Sequence, residues 1–219
     1  MRKIWWKILC VLLISYTIVV GLVGNVPHQP ILNETIRNVY FHVPLWFTMM
    51  TLMIASVVFG VKYLRNGKPE DDEKSVEFAN VAFFMGALGM LTGMLWGNYT
   101  WGSPLPKDPK IIGVEVGLLI YGAYFILRSS FEDEQRKARL SAIYNIFAFA
   151  AFMPLVWIIP RLTDSLHPGN GGNPAFGKYD MDNQMRMVFY PAIIGWILMG
   201  VWITSLRIRI REIQRKLEL

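Results

Sequence analysis

The stretch FHVPLWFTMMTLMIASVVFGVKYL, Phe41–Leu64, decides the architecture. Apart from Lys62 near its end it holds no Asp, Glu, Lys or Arg. As a helix it would run about 36 Å, more than the roughly 30 Å of a bilayer's hydrocarbon layer. Working outward, five further stretches have the same character: Ile8–Val26, Val76–Leu95, Ile111–Leu127, Ala142–Ile159 and Met187–Leu206. Ile111–Leu127 is short and is interrupted by Glu115. Ile8–Val26 follows Arg2, Lys3 and Lys7 as a signal peptide would. It is long for the apolar region of one, however, and no small-residue cleavage site follows, so it reads as a retained helix. The expectation is an all-α integral membrane protein of six transmembrane helices, forming one six-span domain over residues 1–219.

Composition agrees. The chain is 53% hydrophobic and 17% charged, where soluble domains carry about 25% charged residues. So much apolar surface excludes intrinsic disorder. Cys10 is the single cysteine, which excludes a disulfide scaffold, a CxxC redox pair, a Cys-rich zinc site and covalent haem attachment through CxxCH.

The net charge of +6 is explained by topology. Sixteen of the 22 Lys and Arg fall in residues 1–7, 62–75, 128–141 and 207–219, all on one side of the six spans. Cations gather on the cytoplasmic side. Both termini are therefore expected to be cytoplasmic, with three outer loops and no nucleic-acid partner. The inner connections, with Pro69-Glu70-Asp71-Asp72-Glu73 and Glu132-Asp133-Glu134-Gln135-Arg136-Lys137, read as solvated turns. Gly89/Gly93 and Gly113/Gly117 are pairs of small residues four apart that let helices approach closely.

The chemistry-bearing residues collect on the outer side. His28, His42 and His167 all fall there. None lies in the core of a span, which excludes a di-haem cytochrome b, and the lack of HExxH excludes a zinc protease of that type. Two histidines at the outer edge suit a metal held from two sides, and haem iron accepts two neutral imidazoles. His28 has no motif around it and reads as a non-ligand.

The outer loop between the third and fourth spans, at 96–110, reads Trp96-Gly97-Asn98-Tyr99-Thr100-Trp101-Gly102-Ser103-Pro104-Leu105-Pro106-Lys107-Asp108-Pro109-Lys110. Trp and Tyr collect at membrane interfaces whatever the function. This ordered run goes further, with glycines and prolines fixing the backbone as a platform. Trp96, Tyr99 and Trp101 would stack on a flat apolar ligand while Lys107 or Lys110 pairs with its carboxylates. A porphyrin with two propionates has that shape and charge. Asp108 reads as a turn residue before Pro109, or as a neighbour of the ligand. In the outer loop at 160–186, Arg161, Lys178 and Arg186 flank His167, and Pro168–Pro174 reads as a flexible flap.

At these residues the sequence resembles the WWD family of haem-handling membrane proteins, and within it the CcmC branch of the cytochrome c maturation system. Three features carry the resemblance: Trp96-Gly97…Trp101…Asp108-Pro109-Lys110, His42-Val43-Pro44, and Leu166-His167. The family motif is denser in Trp and has Trp directly before its Asp, where this chain has Lys107. The resemblance implies that His42 and His167 are the axial ligands of haem iron. It also implies that the Trp-rich loop (Trp96, Gly97, Tyr99, Trp101, Asp108, Pro109, Lys110) cradles the porphyrin. Haem b, bound non-covalently and transiently, would be held at the outer face of a bacterial inner membrane. With ATP-binding-cassette maturation subunits it would pass to a periplasmic haem chaperone, with membrane lipid as the remaining partner and no catalysis of its own. Two alternatives stand beside this reading. A haem–cytochrome c ligase of the related type would have more spans and more histidines. A transporter subunit would have polar residues at mid-membrane and broken helices.

Overall fold

The chain was analysed as a computed structural model, which describes residues 4–28, 31–168 and 180–217. Six long helices make up the molecule: α1 (Trp5–Val23), α2 (Val39–Asn66), α3 (Pro69–Trp101), α4 (Pro109–Ser129), α5 (Glu134–Met153) and, after a short helix α6 (Ile159–Leu162), α7 (Asn183–Leu217). A 3-10 turn, Asn33–Asn38, leads into α2, and a π turn, Pro154–Ile158, carries α5 into α6. Six helical stretches are long and apolar enough to cross a bilayer, and no strand occurs among the described residues. The protein is an all-α, multi-pass membrane protein.

Several helices outrun their expected spans: α5 starts at Glu134, inside the second charged run read as a solvated turn, α7 continues to Leu217, and α3 is longer at both ends. Its start takes in the acidic run expected to be a solvated turn. Pro69 opens the helix, where its missing N–H costs nothing, and Glu70, Asp71 and Asp72 occupy the first turn, where the helix dipole favours negative charge. These acids are also paired. Arg128 at the end of α4 grips Asp72 through two bonds of 2.9 and 2.6 Å. From α7, Arg215 reaches Glu73 at 2.9 Å, and Arg207 and Arg211 converge on Glu77, which is fully buried. One end of the bundle is thus tied by ion pairs.

At its other end α3 runs six residues past the expected span. Trp96, Gly97, Tyr99 and Trp101 lie on its last turns and not in a loop. The helix stops at Gly102, whose φ of 73° is the left-handed conformation that glycine adopts without steric cost. The expected loop at 96–110 therefore shrinks to residues 102–108.

α2 is the central helix. Its Met49, Leu52 and Met53 are fully buried with Met85 of α3, Tyr121 of α4 and Phe152 of α5. A polar knot lies inside the bundle: the Ser56 hydroxyl donates to the Ser75 carbonyl (2.6 Å), the Ser75 hydroxyl to the Ser56 carbonyl (2.8 Å), and Asn145 to Ser56 Oγ (2.7 Å). The two glycine pairs have different uses. A Cβ at Gly113 would stand 2.3 Å from the Leu155 carbonyl, and one at Gly117 would stand 2.3 Å from the Phe152 ring. That is the helix approach expected of them. Gly89 and Gly93 instead make room for side chains of α2.

Candidate functional site

At the end of the bundle away from the ion pairs, an apolar cavity of about 510 Å³ opens between α2, α3, α4, the π turn and the segment that follows α6. It lies within the roughly 300–1,000 Å³ of small-molecule sites. Its walls include His42, Trp46 and Met50 of α2, Met90, Trp96 and Trp101 of α3, Lys110 of α4, Trp157 of the π turn, and His167.

His42 sits in the first turns of α2, against a gap in α3 left by glycine. A Cβ at Gly93 would stand 2.7 Å from its Cε1. Its Nδ1 is 3.0 Å from the Gly89 carbonyl and 3.1 Å from Thr92 Oγ1. A carbonyl only accepts, so Nδ1 carries the proton and Nε2 keeps its lone pair. The indole N–H of Trp46, one helical turn on, donates to that lone pair at 3.3 Å. Trp46 and Trp96 both meet the imidazole edge-on.

His167 reaches the same cavity from the other side of the sequence. Its Nδ1 lies 3.0 Å from Asp108 Oδ1, and Trp101 packs edge-on against its ring at 5.2 Å. A carboxylate behind a histidine fixes the ring and raises the basicity of the other nitrogen, an arrangement common among metal-binding histidines. Both rings are thus held through Nδ1, leaving Nε2 as the nitrogen with a lone pair to give.

Asp108 joins three parts of the site. It is 1% exposed. As the N-cap of α4 it accepts from the backbone N–H of Lys110 (2.9 Å) and Ile111 (3.3 Å). Its second oxygen accepts from the Ser165 hydroxyl (2.9 Å) and the Leu166 N–H (2.7 Å). Burial alone would raise its carboxyl pKa, but these bonds and the one from His167 outweigh that and hold it well below the usual carboxylate range. The sequence offered Asp108 as a turn residue or a ligand neighbour. The geometry makes it a cap and the anchor of the His167 segment.

The other expected residues divide. Trp96, Gly97, Trp101 and Lys110 line the cavity. Trp96 is fixed by its N–H bond to Thr35 Oγ1 (3.2 Å). Lys110 stands on the wall with its ammonium 5.9 Å from the Trp157 ring centroid. Tyr99 is 70% exposed and lies outside the cavity lining. Pro109 opens α4 beneath Asp108, and Lys107 is exposed. Glu115 is half-buried on α4, and His28 is exposed. Arg161 packs over the Trp157 ring at 4.9 Å, and Arg186 bonds Asn183. Lys178 and the flap beyond Pro168 lie outside the described residues.

Sequence reasoning missed Trp46, Thr92, Trp157 and Ser165. Trp46 carried a signal: it is four residues after His42, hence on the same helix face. Trp157 is turned into the cavity by the π turn, a feature common at functional sites and without a signature in single residues.

Relatives resemble this chain over different extents. The heme exporter protein C of Bradyrhizobium diazoefficiens is 26% identical over 135 residues, 61% of this chain and 50% of that protein. That of Paracoccus denitrificans is 21% identical over 182 residues, 83% of this chain and 75% of the relative. The cytochrome c biogenesis protein CcsA of Synechococcus sp. (strain CC9902) is 32% identical over 79 residues, 36% of this chain and 26% of the relative. The model of one family matches almost every residue, 2–219, and the chain belongs to that family, CcmC, heme exporter protein C.

Proposed function

We propose that this protein handles haem for cytochrome c biogenesis, binding it reversibly in the cavity and giving it up to a partner. Haem is here cargo, not a resident cofactor. The observation that carries the reading is a pair of imidazoles lining one apolar cavity, each anchored through Nδ1, with His42 backed by Gly89 and Thr92 and His167 by Asp108. The donor set fits haem. Two neutral nitrogens suit its iron in either oxidation state, tryptophan and methionine walls suit its apolar face, and Lys110 supplies a cation for a propionate.

In this reading the protein's work is positional. Asp108 and Gly89 hold the two rings, Trp96 and Trp101 flank them, and the apolar walls exclude water. No bond of haem is made or broken except those to iron. The positive-inside pattern supports an outward-facing cavity, and the family supports a bacterial inner membrane, where a periplasmic haem chaperone would be the receiver. ATP-binding-cassette subunits of the maturation system act beside it.

Absorbance spectra of detergent-purified protein, oxidised and reduced, test the reading against His42→Ala and His167→Ala. The expected result is a six-coordinate low-spin haem b spectrum that each substitution weakens or converts to high spin. Wild-type protein that stays free of haem in excess haem, or variants identical to wild type, would overturn it.

A further inference from the structure

We propose that Trp46 makes His42 the labile member of the two imidazoles: its indole N–H takes the Nε2 lone pair whenever the iron leaves, and so competes with haem for that nitrogen. This rests on the reading above, in which His42 binds haem iron.

The roles of donor and acceptor around His42 are not free. Indole nitrogen only donates, so the 3.3 Å contact from Trp46 requires an unprotonated Nε2. The Gly89 carbonyl requires a protonated Nδ1. Thr92 Oγ1 lies 2.9 and 3.0 Å from the Leu88 and Gly89 carbonyls, to which it donates, and is therefore an acceptor for the same Nδ1–H. Every contact selects one tautomer, and in it the single lone pair of the ring points to the Trp46 N–H. Iron and that N–H cannot both have it.

Trp46 is also held where it competes. It is four residues from His42 on one helix, so no loop closure is needed to bring the two together. Its six-membered ring lies in the space left by Gly89, where a Cβ would stand 2.8 Å from Trp46 Cε2. A tryptophan elsewhere in the wall would only pack on haem. This one occupies the ligating atom itself.

The two histidines differ in the way such a device requires. His167 has a buried carboxylate behind it, which strengthens its other nitrogen as a ligand. His42 has a neutral carbonyl and a hydroxyl behind it and a competitor in front. Haem would therefore part first from His42 and stay for a time on His167, presenting an open iron face to a receiver.

The test uses the full chain in detergent with wild type, Trp46→Phe and His42→Ala. Phenylalanine keeps an aromatic ring over Gly89 and removes the N–H. Haem loss is followed as transfer from loaded protein to excess apomyoglobin. One hydrogen bond removed from the competing state should tighten haem binding roughly 2- to 12-fold, and it should slow the loss. A second measurement uses haem-free protein labelled with ¹⁵N-tryptophan. The indole resonance absent from Trp46→Phe should shift when His42 is replaced by alanine, which removes its acceptor. If His42→Ala leaves the haem spectrum unchanged, the ligand assignment itself fails and this inference with it. If His42→Ala changes the spectrum while Trp46→Phe loses haem as fast as wild type, or faster, this inference alone is overturned. Should Trp46→Phe not fold, a haem-free His42→Ala in which no indole resonance moves overturns it.

Discussion

Asp108→Asn separates the charge of Asp108 from everything else it does. Asparagine has nearly the same volume and caps helices as well as aspartate, so α4 should start where it does now. If the Asn oxygen takes the place of Oδ1, the bonds from Lys110 N, Ile111 N and His167 Nδ1 survive in neutral form. The amide nitrogen then faces Ser165 Oγ and the Leu166 N–H. The serine hydroxyl can turn round to accept, but the Leu166 N–H meets another donor. Turning the amide over is worse, because it then faces three donors. Hydrogen bonds to a charged group are worth about 1.5–3 kcal/mol each, and a partner behind a ligating histidine typically affects affinity about 10- to 100-fold. Haem affinity should fall by about that factor. The assay is a haem titration of wild type, Asp108→Asn, His167→Ala and the double variant. Because Asp108 acts through His167, the double variant should bind no more weakly than His167→Ala alone. Binding of Asp108→Asn within twofold of wild type, or additive losses in the double variant, would refute the coupling.

Four further outcomes follow from the same geometry. Gly93→Ala places a methyl 2.7 Å from His42 Cε1 and should disturb the haem spectrum. Gly122→Ala, with nothing within 4 Å, is its control and should raise the melting temperature, since alanine is favoured in helices by about 1 kcal/mol. Tyr99→Ala should leave haem binding unchanged, because the side chain stands outside the cavity lining, while Trp101→Ala should weaken it by loosening His167. Glu77→Gln leaves Arg207 and Arg211 without their carboxylate at the opposite end. Both arginines are about half exposed, so at about 0.2–1 kcal/mol for each pair the cost should stay below about 2 kcal/mol, read as a lower melting temperature with haem affinity unchanged. The depressed pKa of Asp108 means that its contribution to stability is complete above about pH 4 and fades as the pH falls further. The difference in melting temperature between wild type and Asp108→Asn should therefore shrink below pH 4.

The six helices were legible because the bilayer demands a long apolar run and little else can imitate one. What could not be read was how far a helix continues beyond the apolar run. Trp96–Trp101 contains Gly97 and Asn98, ordinarily loop residues, yet α3 passes through them. A Cβ at Gly97 would stand 3.1 Å from the Ser103 carbonyl, so the glycine serves the chain's tight return after Gly102 and not a break in the helix. The site was legible to the extent that it is local. His42-Val43-Pro44 and Trp96…Trp101 declare themselves within a few residues. The anchoring role of Asp108 does not, because Ser165, Leu166 and His167 lie 57 to 59 positions away. The charged run at the other end misled for the same reason: Glu73 reads as part of a solvated turn until Arg215, 142 positions later, is brought to it.

That difference between the ends bears on function. At the ion-paired end, α3, α4 and α7 are locked by charges spread over three helices. At the cavity end the His167 segment is tied to α4 through the one carboxylate of Asp108, and His42 is restrained only by its own helix and α3. A protein meant to keep its haem would be expected to brace both ligands from several directions. Here the helices are tied through several side chains and each ligand ring from one side, so the haem contacts can break and re-form while the helices stay in place. Joining Asp108 more firmly to the 165–167 segment should therefore slow haem release. Weakening the Glu77 pairs should lower the melting temperature and leave haem release as it is, because the far end holds the helices and not the ligands.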